Sequence, residues 1–285
     1  MLLKTLNLIA FITHYLLAVF FIIFFIDLNK RYPSNPLPGV EISMKDHTLD
    51  LQTDMSGNII VQWNSVNTSV WSVTTIQTML VSFFVITGTF HLFYYYKEDE
   101  YQRVIKNKNN FYRWIEYSIT STLMLFIMAL VTGTKDKGVY IMIFSSNIAM
   151  ILAGQQVEEA VRENRNWVVP MVTSFLLLLT EFYVIGMNFL TKINTIQTFL
   201  DQNQSNPKVT AFYVPGWLKP MLIVLFLFYI SFGFVSLYGA YSNENYETIE
   251  SIYIILSLLA KATLGAFVGY GLGLRQEGLL TPSVT

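Results

Sequence analysis

Cysteine is absent from this 285-residue chain, and histidine occurs only at positions 14, 47 and 91. The first absence excludes disulfides, thiolate nucleophiles and cysteine-based metal centres. With so few histidines there is no HExxH zinc helix, and neither a P-loop nor a GxSxG elbow occurs. The sequence therefore points to no metal site and to no enzyme. Charge is also scarce: Asp, Glu, Lys and Arg make up 13% of residues, about half the share usual in soluble domains, and the formal net charge is −1. That balance offers no electrostatic grip on nucleic acid. What is plentiful is apolar surface, 53% hydrophobic and 15% aromatic residues. The composition is that of a chain whose main partner is the lipid bilayer.

Seven apolar runs are long enough to cross about 30 Å of hydrocarbon: residues 6–26, 70–96, 111–131, 139–157, 167–190, 217–241 and 249–274. The expected fold is an all-α bundle of seven transmembrane helices, forming one domain over residues 1–285. The first run has no small-residue cleavage site and reads as a retained helix. With an odd number of spans the termini lie on opposite sides. The long first loop, residues 27–67, alternates polar and apolar residues over 47–53 and carries a β-branched run at 59–63. This predicts a small β-hairpin turning at 55–58, a unit that needs another surface to lean on, such as a second protomer in a homodimer. His47 reads as a loop residue. Residues 97–108 read as a charged stretch, and residues 188–215 as a polar loop.

One residue organises the rest. Lys261 sits near the middle of the seventh run. A lysine there costs about 2.5–3.5 kcal/mol on insertion scales, which ordinary packing does not justify. It lies more than two turns from either end, too deep to snorkel easily. Three readings stay open: half of a structural ion pair, the lining of a polar substrate path, or an amine that forms a Schiff base with a carbonyl ligand. Glu116, in the third run, is a natural partner. The third and seventh helices cross in the same direction, and a lysine side chain leans toward its helix N-terminus. The Lys261 amine therefore approaches the face where Glu116 lies, provided the third helix starts near residues 108–111. Glu116 reads as the only ionisable residue inside that span. His14 and His91 lie in the first two runs toward the same face, with Thr87 one turn before His91. Glu158 and Glu159 are expected at the interface that ends the fourth run.

The motif RWIEYS at residues 113–118, with SLLAK at 257–261 in the last of seven helices, resembles heliorhodopsins. These are retinal-binding seven-helix proteins distantly related to microbial rhodopsins and inserted in the opposite orientation. The resemblance extends in architecture over the whole chain. It implies all-trans retinal in the dark, bound as a protonated Schiff base on Lys261 with Glu116 as counterion. It also implies that Ser257, Ser121 and Thr87 are polar neighbours of the linkage and that Asn147 lies in the retinal pocket. His14, His91 and Glu158 would belong to a proton-accepting cavity on the cytoplasmic side. The implied function is that of a photoreceptor with a slow, sensor-like photocycle and an unidentified cytoplasmic signalling partner. Microbial proton pumps carry an acid, a threonine four residues on, and a second acid seven further. Here those positions are Glu116, Thr120 and Ile127, so the second acid is missing.

Two features stand outside the resemblance. Glu181 interrupts the apolar fifth run, either as a hydrogen-bonded structural acid or as a proton relay. In the second case the protein is a light-activated proton transporter or channel. A third, non-photochemical reading is a transporter that binds its substrate between Lys261 and Glu116. Among the aromatic residues of the sixth run, Phe228, Tyr229 and Phe232 are the candidates for contact with a polyene. Gly265 and Gly269 form a GxxxG expected to pack closely on a neighbouring helix. Loop cations number eight on the N-terminal side and nine opposite, so charge does not orient the chain. The resemblance implies a cytoplasmic N-terminus and an extracellular C-terminus.

Overall fold

The computed structural model describes residues 2–31, 42–53, 59–71, 73–202, 215–242 and 245–276. The helices are α1 (Leu2–Arg31), α2 (Val73–Tyr96), α3 (Glu98–Lys106), α4 (Phe111–Val131), α5 (Lys137–Arg162), α6 (Val168–Gln202), α7 (Leu218–Tyr241) and α8 (Tyr246–Gln276). All but α3 are long and apolar enough to cross a membrane, so the chain is a multi-pass integral membrane protein. In lipid each backbone amide must be satisfied within its own helix, which is why these runs adopt no other form.

The spanning helices form a closed ring in sequence order, α1 against α2, then α4, α5, α6, α7 and α8, with α8 returning to α1. The buried residues of α1 are Leu3, Asn7, Ala10, His14, Ala18, Phe21, Phe25 and Leu28. Their spacing of three and four defines one helix face, although the helix is apolar all round. Small and polar residues mark the part of that face that meets other helices. Phe21 fills the surface left bare by the GxxxG of α8: a Cβ at Gly265 or Gly269 would lie within 3 Å of its ring. Most of α4 is buried and little of α7 is, so α4 runs through the interior and α7 largely faces lipid.

The ends of α4 follow from local chemistry. Asn110 caps its start, its side chain accepting from the Arg113 amide at 3.2 Å. Gly133, at φ +85°, turns the chain after Thr132, a left-handed conformation that suits glycine. The helix thus begins at Phe111, where the depth of Glu116 requires it.

In the first loop, β1 (Ile42–Thr53) pairs antiparallel with β2 (Ile59–Trp71), from Ile42 opposite Trp71 to Thr53 opposite Ile59. The expected hairpin strands are present and longer than the sequence pattern indicated; the turn at 55–58 lies outside the described residues. Two other expectations are corrected. The polar stretch after residue 188 continues α6 to Gln202, because between Pro170 in its first turn and Pro207 no proline interrupts it. The charged stretch after Tyr96 is the amphipathic helix α3, which buries Tyr101 and Ile105, one turn apart, against the bundle.

Candidate functional site

Lys261 and Glu116 meet. The Lys261 Nζ lies 3.0 Å from Glu116 Oε1 and donates to Ser257 Oγ at 2.7 Å, one turn toward the N-terminus of α8. Both charged residues are almost fully buried. The same Glu116 oxygen accepts from Thr87 Oγ1 of α2 at 2.5 Å and from Thr120 Oγ1 at 2.9 Å. Three donors on one oxygen are what an ionised carboxylate in a dry interior requires. Neither charge is left uncompensated, which is the expensive case. The position of the missing second acid, Ile127, is fully buried in the apolar core.

Lys261 lines a cavity between α4, α5, α6, α7 and α8. The space free of protein atoms there is about 830 Å³, its open side included. Its walls are largely aromatic and thioether: Trp114, Tyr117, Met124, Phe175, Tyr229 and Phe232 are among them. Two close approaches shape it. A Cβ on Gly154 would lie 2.9 Å from the Trp114 ring, and one on Gly233 would lie 2.7 Å from Phe175. A mainly apolar cavity with one buried amine in its wall fits an apolar ligand carrying a carbonyl.

The remaining expected residues divide. Ser121 lines the cavity; its hydroxyl donates to the Tyr117 carbonyl at 2.6 Å and accepts from Asn147 Nδ2 at 2.8 Å. Its hydrogen bonds tie it to the wall of the cavity that Lys261 also lines. Asn147 is fully buried and also donates to Thr122 Oγ1 at 2.8 Å. Tyr229 donates to the Ser121 carbonyl at 3.1 Å, tying α7 to α4. Phe228 packs against the core but does not line the cavity.

His14 and His91 stack at 5.5 Å between ring centroids. His91 Nδ1 is 2.7 Å from Asn7 Oδ1, and His14 Nδ1 is 2.7 Å from the Ala10 carbonyl. His14 Nε2 is buried with no hydrogen-bond partner among the described residues. Glu158, expected at the interface that ends the fourth run, instead has a largely buried side chain paired with Arg113. The reason is that Arg113 is itself buried, so Glu116 is not the only ionisable residue inside its span.

Arg113 organises a second ionic centre that the sequence reading missed. Its guanidinium forms ion pairs with Glu158 and with Glu250, which is 1% exposed. Glu250 Oε1 also accepts from Asn110 Nδ2 at 2.6 Å and from Tyr101 OH at 3.3 Å. Glu158 accepts from Trp114 Nε1 at 2.9 Å and from Tyr246 OH at 3.1 Å. The guanidinium lies 4.1 Å above the Tyr253 ring. A pattern was available to reveal this. Glu250, Ile254, Ser257 and Lys261 fall on one stripe of α8, and Arg113 and Glu116 are three apart on α4. Glu181 lies apart from both centres. It accepts from Ser146 Oγ at 2.9 Å, and its Oε2 is buried with no partner among the described residues.

Comparison with known proteins agrees with this arrangement. The heliorhodopsin family model matches residues 3–272. No curated protein matches. Among solved structures, the chain is similar in fold to the rhodopsin of Exiguobacterium sibiricum. The TM-score is 0.58 at 10% identity, with 98% of this chain and 97% of that one covered. It is also similar to a thermophilic rhodopsin, with a TM-score of 0.50 at 12% identity, covering 97% and 96%. A family match over nearly the whole chain, on a rhodopsin-like bundle with a buried lysine in its last helix, places this protein in the heliorhodopsin family.

Proposed function

We propose that this protein is a retinal-binding photoreceptor of heliorhodopsin type. Retinal, all-trans in the dark, is held on Lys261 as a protonated Schiff base, with Glu116 as its counterion. The observation that carries this reading is the buried Lys261 amine, 3.0 Å from Glu116 and in the wall of a mainly apolar cavity. Retinal supplies light absorption and isomerisation. The protein's residues do the rest. Glu116 holds positive charge at the lysine nitrogen, with Thr87 and Thr120 fixing the carboxylate and Ser257 accepting from the nitrogen. The walls that include Tyr229 and Phe232 exclude water. The His14–His91 pair and Glu158 form the region toward which the proton moves after illumination.

The reading carries further parts. Residues 1–285 act as one membrane domain with a cytoplasmic N-terminus and an extracellular C-terminus. The first-loop hairpin supports a homodimer, and a slow photocycle serves an unidentified cytoplasmic partner. The test is an absorption spectrum of purified protein with all-trans retinal, repeated on Lys261→Ala. A visible band that disappears in the variant is the expected result. A correctly folded protein with no band returns Lys261 to an ion-pair or substrate role.

A second reading has one observation in its favour. Glu181 is 2% exposed, and one of its carboxyl oxygens has no partner among the described residues. An acid held in that way suits proton transfer across the far half of the bundle. In that case the protein is a light-activated proton transporter or channel. A sustained light-dependent current in voltage-clamped cells that falls in Glu181→Gln supports it; no current leaves the sensor reading.

A further inference from the structure

The Arg113 centre has a charge imbalance and two cavities beside it. One guanidinium faces two carboxylates, all inside the bundle. An uncompensated buried carboxylate is costly, and taking up one proton removes the excess. On one side a small cavity, with room for about one water molecule, is lined by Glu116, Ser257, His91, Tyr117, Arg113 and Glu250. It joins the neighbourhood of the Lys261 amine to Glu250. On the other side a larger opening is lined by Lys108, Glu158, Arg165, Trp167, Tyr246 and Tyr253. It joins Glu158 to the N-terminal face. Two of its wall residues, Lys108 and Asn164, adopt left-handed backbone conformations, at φ 50° and 52°. Both are the residues that close the C-termini of α3 and α5: Lys108 and Asn164 donate to Ile105 and Val161, and the next residues to Val104 and Ala160.

We propose that Glu250 is a proton-accepting residue of the photocycle, and that the Arg113–Glu158–Glu250 centre passes the proton to the N-terminal face. This deepens the photoreceptor reading and rests on it. The step is a simple transfer. A proton leaves the nitrogen at Lys261 and crosses the small cavity past Ser257. It binds a carboxylate oxygen of Glu250, which becomes a neutral acid while the nitrogen loses its positive charge. The centre then carries one cation and one carboxylate, so its own charges balance. Arg113 stays protonated throughout.

Among the described residues, these groups face Glu250 from the elements packed around it. They are Tyr101 on α3, Tyr94 on α2, Asn110 and Arg113 at the start of α4, Glu158 on α5, and Tyr246 and Tyr253 on α8. Burial pushes the Tyr101 phenol up, so it remains a donor and does not compete for the proton. His91 borders the same small cavity and is the alternative acceptor on that side.

Light-induced infrared difference spectroscopy on the retinal-loaded protein tests this, using the C=O stretch that only a protonated carboxyl shows. A positive band should rise together with loss of the visible band. It should vanish in Glu250→Gln, persist in Glu158→Gln, and shift in Glu250→Asp, which keeps an acid at the position. In retinal-free protein, acidification should produce the same band in wild type and not in Glu250→Gln. Visible absorption of each loaded variant reports that it folds. A band unaffected by both Glu250 substitutions, or no band at all during the photocycle, overturns the proposal and leaves the histidine pair as acceptor. A protein that never absorbs visible light instead sinks the photoreceptor reading itself.

Discussion

Among the described residues two buried ionic centres lie on the same stripe of α8, and they are built on opposite principles. At Lys261 one cation meets one carboxylate, and hydroxyls from α2 and α4 complete the set. At Arg113 one cation meets two carboxylates, and the supporting donors come from an N-cap asparagine, a tryptophan and two tyrosines. The first is matched in charge and borders a mainly apolar cavity; the second carries an excess and borders one open to the N-terminal face. A balanced pair keeps a positive nitrogen where it is needed. An unbalanced centre has room for a proton. On the proposal above, this difference sets the direction of the proton along one helix, from mid-membrane toward the surface.

The comparison breaks most severely at Arg113. Arg113→Met should leave Glu158 and Glu250 buried without their cation and cost about 3–5 kcal/mol of stability. Adding Glu158→Gln and Glu250→Gln to the same chain should recover most of that loss, because the charges are then gone together. Thermal denaturation of the purified variants measures both. A triple variant no more stable than Arg113→Met would mean that the arginine acts through packing on Trp114 and Tyr253, and that the charge imbalance is unimportant.

The matched centre should respond in colour. Glu116→Gln removes the negative charge beside the lysine nitrogen and should move the visible band to the red. Thr87→Val removes a donor to the same oxygen and should move it less, with a stability loss of about 1.5–3 kcal/mol for a hydrogen bond to a charged group. Glu250→Gln, farther along α8, should leave the dark spectrum nearly unchanged. An unchanged spectrum in Glu116→Gln would remove that residue from the counterion role.

The two centres also differ in how far the sequence reveals them. Seven apolar runs define the bundle, because backbone in lipid has one economical solution. Lys261 stands out because a cation deep in an apolar run is conspicuous, and Glu116 follows as a partner on the same side of the membrane. Arg113 and Glu250 lie at the edges of their runs, where charge is ordinary and reads as interfacial. Only the packing of α3, α4, α5 and α8 shows that these ends are covered by Tyr101, Tyr246 and Trp114. The helix α3 was hidden for a related reason. Its nine residues bury only Tyr101 and Ile105, too little for a periodic pattern to outweigh five charged side chains. Phe228 was misplaced because an aromatic cluster on a lipid-facing helix carries no periodic mark of which ring points inward.

The smallest expected effect tests whether the unbalanced centre reaches the surface. Tyr101 of α3 stacks on Tyr94 at 4.5 Å and gives its hydroxyl to Glu250 at 3.3 Å. Tyr101→Phe keeps the ring and removes the bond. Asn110 still serves that oxygen at 2.6 Å, so the cost should be only about 1 kcal/mol. Hydrogen exchange of the α3 amides should then quicken by roughly fivefold, while exchange in α4 and α8 stays unchanged. Tyr112→Phe, which removes a 2.5 Å bond to Glu100 on the outer side of α3, is the matched control. If both substitutions loosen α3 equally and Glu250→Gln does not, the helix is held by its surface contacts alone. If Tyr101→Phe and Glu250→Gln loosen it alike, the charge on Glu250 is felt at a helix outside the membrane core, and proton arrival there can be read by whatever binds that face.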